Sequence, residues 1–196
     1  MACDNFLWFP TAASGGLVVA SQKASQPQGE TMDEWMSKNN ALEIKKFTFG
    51  VTMASSGGSQ SGGHSTGKVA FNEFQVEKLV DLASVPIYQA CTVGAHYPYV
   101  LLAVRKAGGM HFLYLQYIFA EVFCIGIDWS GGGGDELFGE TIKFRYGAMS
   151  IQYCRQKADG QPDKPIQAAW SVVNNSPSLT VPDLAAPPAF LPLTQQ

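Results

Sequence analysis

Apolar and polar residues alternate with a period of two along much of the chain, which is typical of β-strands. The alternation predicts strands over residues 6–9, 41–53, 68–80, 97–106, 111–127, 140–154 and 165–173. One helix is predicted over 84–94, because Ser84 can cap it, Pro86 suits its first turn and Gly94 can end it. The pattern therefore predicts a mainly β protein.

Three of the long strands change their apolar face partway along. In 140–154 the apolar positions follow one phase before Gly147 and the other phase after it: Ile142, Phe144 and Tyr146, then Met149, Ile151 and Tyr153. Similar changes occur within 41–53 and 68–80. Such a change predicts a bulge, or a strand that buries opposite faces at its two ends.

The strand predicted over 111–127 is apolar on both faces for most of its length. Two-sided burial needs a cover on each face, and no long helix is predicted that would supply it. We interpret the pattern as a β-barrel or sandwich whose outer faces are partly buried by oligomerisation, since open apolar strands aggregate.

The chain has 196 residues, 46% of them apolar, which is enough for one substantial core. We predict a single domain over 1–173, with an irregular insertion at 11–40 and an extended glycine/serine loop at 55–67. Residues 174–196 carry five prolines and no periodic pattern, so they are interpreted as an extended or disordered tail.

Charge and composition exclude several classes of function. The formal net charge is −3 and basic residues do not cluster, so no nucleic-acid partner is expected. No stretch reaches the ~18 apolar residues of a membrane span, and the first residues do not form a signal peptide. Synthesis in the cytoplasm is therefore expected. The four scattered cysteines are interpreted as reduced, mostly buried thiols.

One motif invites an enzymatic interpretation. Gly62–Lys68 fits the spacing G-x-x-x-x-G-K of a phosphate-binding loop. Val69 stands where a Ser or Thr would hold Mg²⁺, and the following residues alternate like a strand instead of starting a helix. We interpret the match as a flexible loop between two strands.

Other candidate chemistry is weak. The histidines His64, His96 and His111 have no metal-ligand spacing. Glycines occupy the middle of a possible calcium loop at Asp128, Asp135 and Glu136. Glycoside hydrolysis by a pair of carboxylates stays an open alternative, because four glutamates lie on predicted strands: Glu73, Glu77, Glu121 and Glu140. We predict no enzyme activity, no cofactor and no metal.

The order of segments over 41–173 resembles the haemolysin-coregulated protein (Hcp) family, the tube subunit of the type VI secretion system. The resemblance is most specific in K-V-x-F-x-x-F-x-x-x-K-x-V-D-x-A-S-x-P at 68–86, in A-V-R-K-A-G-G, and from GGGGDE to Tyr153. Residues 1–10 match more weakly. The insertion at 11–40 is longer than in a typical member, and the tail is additional.

The resemblance implies a compact β-barrel of two packed antiparallel sheets with one short flanking α-helix, related to phage tail-tube proteins. It implies homohexameric rings that stack into an exported tube, carry small effectors in the lumen, and work with a spike protein, a contractile sheath and a baseplate. Export would need no cleaved signal, and no membrane insertion is implied.

By the same resemblance, the loop at 55–67 would reach neighbouring subunits or the next ring. Its residues are Ser55, Ser56, Gly57, Gly58, Ser59, Gln60, Ser61, Gly62, Gly63, His64, Ser65, Thr66 and Gly67.

Two alternatives to the secretion tube stay open: a tail-tube protein of another contractile injection system, and a small-ligand-binding β-barrel. A hydrolase with unrecognised carboxylates is a third.

Overall fold

The computed structural model describes residues 3–10, 25–56, 65–107, 111–134, 137–182, 184 and 186–194. Within these ranges the chain forms ten strands, one α-helix and a short 3-10 helix at Met36–Asn39. The strands are β1 (Cys3–Trp8), β2 (Leu42–Glu43), β3 (Lys46–Thr48), β4 (Val51–Ser56), β5 (Ser65–Phe71), β6 (Phe74–Leu79), β7 (His96–Lys106), β8 (Phe112–Ser130), β9 (Gly139–Tyr153) and β10 (Ile166–Ser171). Helix α1 spans Ser84–Val93.

Eight of the described strands form one antiparallel sheet, which curls strongly into a half-barrel. Its order is β2-β1-β7-β8-β9-β6-β3, and β10 lies beside β6 along the same edge of β9. Strands β4 and β5 form a separate two-stranded sheet, called the hairpin below. The predicted mainly β fold of two antiparallel sheets with one short helix is confirmed.

The predicted change of face at Gly147 is confirmed. Tyr146 packs in the main core, whereas Ala148 packs in a second cluster on the opposite face of the sheet. On β8, Ala120 packs in the second cluster and Val122 packs in the main core. Glu121, which lies between them, has a φ of 52°. A Cβ on Gly147 would come within 2.5 Å of the Glu121 carboxylate, so only glycine fits this crossing without a shift.

The predicted continuous strands at 41–53 and 68–80 are wrong. The first is divided into β2, β3 and β4, and the second into β5 and β6. The breaks lie opposite each other, where the Asn72 N–H donates to the Gly50 carbonyl over 2.9 Å. At this crossing the chain leaves the large sheet and enters the hairpin, which explains why the apolar phase changes there.

The main core lies inside the curled sheet. It is rich in stacked and edge-on aromatic rings, among them Phe49, Phe74 and Phe119, and α1 closes it with Ile87 and Ala90. Gly94 ends the helix as predicted, with φ 68°. The prediction that Ser84 caps α1 is wrong, because Ala83 stands at that position and its N–H donates to the Asp81 carboxylate.

A second core lies on the outer face of β1, β7, β8 and β9, and the chain itself covers it. The cover consists of Met36 and Ala41 from the segment before β2, together with tail residues Val181, Leu179, Leu184, Phe190 and Leu191. The sequence analysis missed this cover, with which the chain itself buries Leu113, Ile118 and Ala120 of β8. Partial burial of the outer faces by oligomerisation stays a prediction. The division into a domain over 1–173 and a separate tail stays a prediction.

The tail is held on the sheet by its backbone. The buried Gln116 side chain accepts from the Leu191 N–H over 2.9 Å and donates to the Leu191 carbonyl over 3.1 Å. The Leu113 N–H donates to the Leu193 carbonyl over 2.9 Å, and Thr194 bridges Phe112 in antiparallel fashion. The described tail is thus an extended segment packed on its own chain.

Candidate functional site

The loop predicted as an interface follows β4 and precedes β5 along the chain, and the structure describes its two ends. Ser55 and Ser56 end β4, and Ser65, Thr66 and Gly67 begin β5, with Ser55 opposite Thr66. Residues 57–64 lie outside the described part of the chain. Among the described strands, β4 and β5 pair only with each other, so both described ends of the loop belong to a sheet separate from the large one.

The hairpin has an apolar face that lies across a groove from β9 and β10. Val51 lies opposite Phe71 and Met53 opposite Val69, so all four side chains share this face. Met149 and Trp170 form an equivalent pair on β9 and β10, next to Ile151 and Ala168. Between the two faces lies an open groove of about 330 Å³ with almost no polar lining, which we call the hairpin cleft.

A second cavity of about 640 Å³ continues from the cleft through the shared Phe71, towards the base of the hairpin. Tyr146 lines it, and its buried hydroxyl makes no hydrogen bond within the described chain. Burial raises the pKa of Tyr146 to about 12, so the hydroxyl stays a neutral donor. Trp170, in the cleft, also has a buried indole N–H without a partner among the described residues.

A buried ionic cluster fixes the start of α1. The ammonium group of Lys78 lies 2.6 Å from the Asp81 carboxylate and 2.7 Å from that of Glu140. The Ser84 hydroxyl donates to Glu140 over 2.7 Å, and the Trp129 indole N–H donates to the same carboxylate over 3.0 Å. Three residues of the 68–86 motif, Lys78, Asp81 and Ser84, therefore have a structural role, since their cluster joins β6, β8, β9 and α1.

Large apolar side chains around α1 are exposed. Val85 and Tyr88 point outward from one face of the helix, as their spacing requires, and the Tyr88 ring lies 5.8 Å from that of Trp129. We define the α1 patch as Leu82, Val85, Tyr88, Trp129, Leu137 and Phe138, all at least half exposed. The Val80 N–H donates to the Phe138 carbonyl and so ties the 137–138 segment to the start of the helix.

The described residues do not form the phosphate-binding loop, the calcium loop or the histidine metal site that the sequence analysis considered. Lys68 lies inside β5, so no helix begins there to bind a phosphate. Asp128 pairs with Lys143 over 2.7 Å, while Asp135, Glu136 and His64 lie outside the described ranges. His111 is exposed, and His96 packs against the ring of Phe123.

The four weighed glutamates have separate surroundings. Glu140 is buried in the α1 cluster, Glu77 pairs with Lys46, Glu73 lies 4.0 Å from Arg145, and Glu121 lies at the strand crossing. Across the described ranges no group of three potential metal ligands occurs, and no helix is both long and apolar enough to cross a membrane.

Comparison with known proteins gives a consistent assignment. The profile of the family described as "Type VI secretion system effector, Hcp" matches residues 22–153. The chain belongs to the Hcp family. Over 110 residues it is 31% identical to "Protein hcp1" of Pseudomonas aeruginosa, which covers 55% of this chain and 68% of that protein.

Solved structures agree with this assignment. A structure described as that of a type six secretion system protein superposes with a TM-score of 0.76 at 25% identity, covering 90% of this chain and all of that one. Hcp1 from Salmonella typhimurium shares the fold, with a TM-score of 0.64 at 23% identity over 91% of this chain and all of that one.

The predicted family and the predicted absence of enzyme activity are confirmed by this assignment, because Hcp proteins are structural, non-enzymatic tube proteins of the type VI system. The sequence analysis did not predict the hairpin cleft or the α1 patch. The signal for the patch was present: Val85 and Tyr88 are apolar on one side of the helix, while Ile87 and Ala90 are apolar on the other.

Proposed function

We propose that this Hcp protein forms hexameric rings that stack into an exported tube and carry small effector proteins in the lumen. The observation that carries the proposal is the family match over residues 22–153. The spike, the contractile sheath and the baseplate of the secretion machine are the expected partners. The subunit would be made in the cytoplasm and exported by the machine itself without a cleaved signal.

The surface of the subunit supports assembly. The outer face of β7 and β8 is not available to a neighbouring copy, because the tail and the 36–41 segment bury it. Two other apolar surfaces, the hairpin cleft and the α1 patch, are not covered by any described residue. Exposed apolar surfaces of this kind mark protein interfaces.

Light scattering combined with negative-stain imaging tests the ring. We expect six-fold rings with an open centre from the purified full chain. A small-ligand-binding barrel would instead stay a single copy and gain thermal stability from its ligand. Rings that are absent at every protein concentration would contradict the proposal.

The loop at 55–67 is proposed to contact a neighbouring subunit or the next ring. Two features support this role: the β4–β5 pair ends at Ser56 and Ser65, which begin and close the loop, and the glycines of the loop allow a close approach of backbones. Removing 58–63 should leave the subunit folded and the ring intact but weaken ring stacking, measured as tube length in electron micrographs. Unchanged tube length would contradict this role of the loop.

A further inference from the structure

We propose that Cys91 and Cys124 form a disulfide bond that joins helix α1 to strand β8 once the protein meets an oxidising environment. The bond lies within a single copy, so its formation does not depend on the ring. Its use does rest on the proposed function, because export would take the subunit out of the cytoplasm, where thiols stay reduced.

The fold brings these two cysteines together from distant parts of the sequence. Cys91 lies towards the end of α1, four residues after the buried Ile87 and therefore on the same side of the helix. Cys124 is buried on β8, the strand against which α1 packs. Cys91 packs against the core cluster that contains both Ile87 and Cys124. The packing of the helix on the strand thus places both thiols in one cluster.

The two thiol groups contact each other. The Cys91 thiol is a hydrogen-bonding neighbour of the Cys124 thiol, and Tyr97 lies near both. A disulfide needs two sulfur atoms that can approach to ~2.05 Å without a rearrangement of the backbone. Contact between thiols on two packed elements meets this requirement.

The remaining cysteines have neighbours of a different kind. The Cys154 thiol donates to the Asp163 carbonyl over 3.1 Å, and the exposed Cys3 lies 3.5 Å from the Tyr114 hydroxyl. Cys3 and Cys154 therefore serve as internal controls for the pairing.

The order of reaction follows from exposure. Cys91 is only partly buried, whereas burial raises the pKa of Cys124 above its usual range and keeps that thiol neutral. The Cys91 thiolate therefore reacts first, by attacking one sulfur of a low-molecular-weight disulfide. This step forms a mixed disulfide and releases one small thiolate, which takes up the proton that Cys91 lost.

A second exchange closes the bond. The Cys124 sulfur loses its proton, attacks the Cys91 sulfur of the mixed disulfide and releases the second small thiolate, which takes up that proton. Two protein thiols are thereby oxidised, and one small disulfide is reduced to two thiols. The second step should limit the rate, because the buried Cys124 thiol must first lose its proton.

Closure should stabilise the fold. The bond would link residues thirty-three positions apart, and the chain-entropy model gives such a loop a gain typical of native disulfides. For a chain of this length the gain corresponds to a rise in melting temperature of roughly 10 °C. The buried Lys78 cluster holds the first turn of α1 through Ser84. The bond would hold the other end of the helix.

Peptide mapping tests the pairing on the full chain. Trypsin yields the peptides 79–105 and 107–143, which hold Cys91 and Cys124 as their only cysteines. The folded protein is incubated with oxidised glutathione, and its remaining thiols are alkylated before digestion. We expect a linked species that joins these two peptides and disappears on reduction.

Two variants complete the test. Cys91→Ser should lose both the linked species and the rise in melting temperature on oxidation, whereas Cys3→Ser, at an exposed position outside the cluster, should keep both. A glutathione adduct of Cys91 that never closes, or no linked species at any oxidant concentration, would overturn the pairing. A linked species without a rise in melting temperature would overturn the role of the bond in holding α1.

Light scattering on the same samples separates this inference from the ring. Linked protein without rings would leave the bond standing and contradict the proposed function. Rings without the linked species would overturn the bond alone.

Discussion

Lys78→Met tests whether the buried ionic cluster holds α1 on the sheet. The Lys78 side chain is fully buried, and its ammonium group also donates to the Leu79 carbonyl over 2.8 Å and lies 3.2 Å from the Ser84 hydroxyl. Methionine keeps the length of the side chain and removes the charge. The Glu140 carboxylate, likewise fully buried, would lose its only cationic neighbour recorded in the described chain.

The expected cost follows from this burial. Removing one partner of a buried pair leaves an uncompensated charge, which destabilises a protein by about 3–5 kcal/mol. The hydrogen bonds from Ser84 and Trp129 to Glu140 remain and keep the cost within this range. For a chain of this length such a change lowers the melting temperature by roughly 10 °C.

Urea unfolding followed by tryptophan fluorescence, at one fixed protein concentration, measures this cost. The concentration must be fixed because assembly raises apparent stability. Lys46→Met is the matched control: its ion pair with Glu77 has the same 2.6 Å separation as Lys78 with Asp81, but its side chains are 63% and 46% exposed. The control should cost less than about 1 kcal/mol.

A double variant separates lost charge from lost packing. Glu140→Gln removes the negative charge and keeps an acceptor for the Trp129 indole N–H. Lys78→Met combined with Glu140→Gln should therefore be more stable than Lys78→Met alone. Equal costs for Lys78→Met and Lys46→Met would contradict this role of the buried cluster, as would a double variant less stable than both single variants.

Three further predictions concern the tail, the Asp33 carboxylate and the strand crossing. Gln116→Leu should release the tail, raise amide exchange around Leu191 and cost about 1–3 kcal/mol, because two backbone groups lose partners; unchanged exchange would contradict the role of this clamp. Burial by itself would raise the pKa of Asp33, but backbone hydrogen bonds and the Arg105 guanidinium hold it below 3.8. The folded-state pKa is depressed, so the stabilisation is present above about pH 4 and lost as the pH falls through the folded value. The stability advantage of wild type over Asp33→Asn, measured by urea titration, should shrink as the pH falls below about 4, and a constant difference would contradict the assignment. Gly147→Val should lower the melting temperature, because the added side chain meets the side chains of Glu121 and Val173. A melting temperature equal to that of the wild type would show that the crossing tolerates a side chain.

Much of the fold follows from local patterns. The strands β7, β8 and β9 and the helix were predicted because each has a long, regular alternation or clear end signals such as Gly94. Gly147 was recognisable because the phase of the alternation changes at that residue. These features depend on neighbours within a few residues, which a sequence displays directly.

Features that depend on distant contacts were not predictable. The break at Gly50 requires Asn72, twenty-two residues later, and the docking of the tail requires Gln116, seventy-five residues before Leu191. A proline-rich segment without periodicity gives no sign of which face it will cover. For this reason the apolar outer face of β8 was assigned to sister copies when the tail covers it.

Native mass spectrometry of the purified full chain over a range of concentrations measures how many copies the assembly contains. We expect one dominant assembly of six copies, in exchange with single copies only at high dilution. Single copies at every concentration, or an even-numbered series that grows from dimers without stopping at six, would contradict a closed ring.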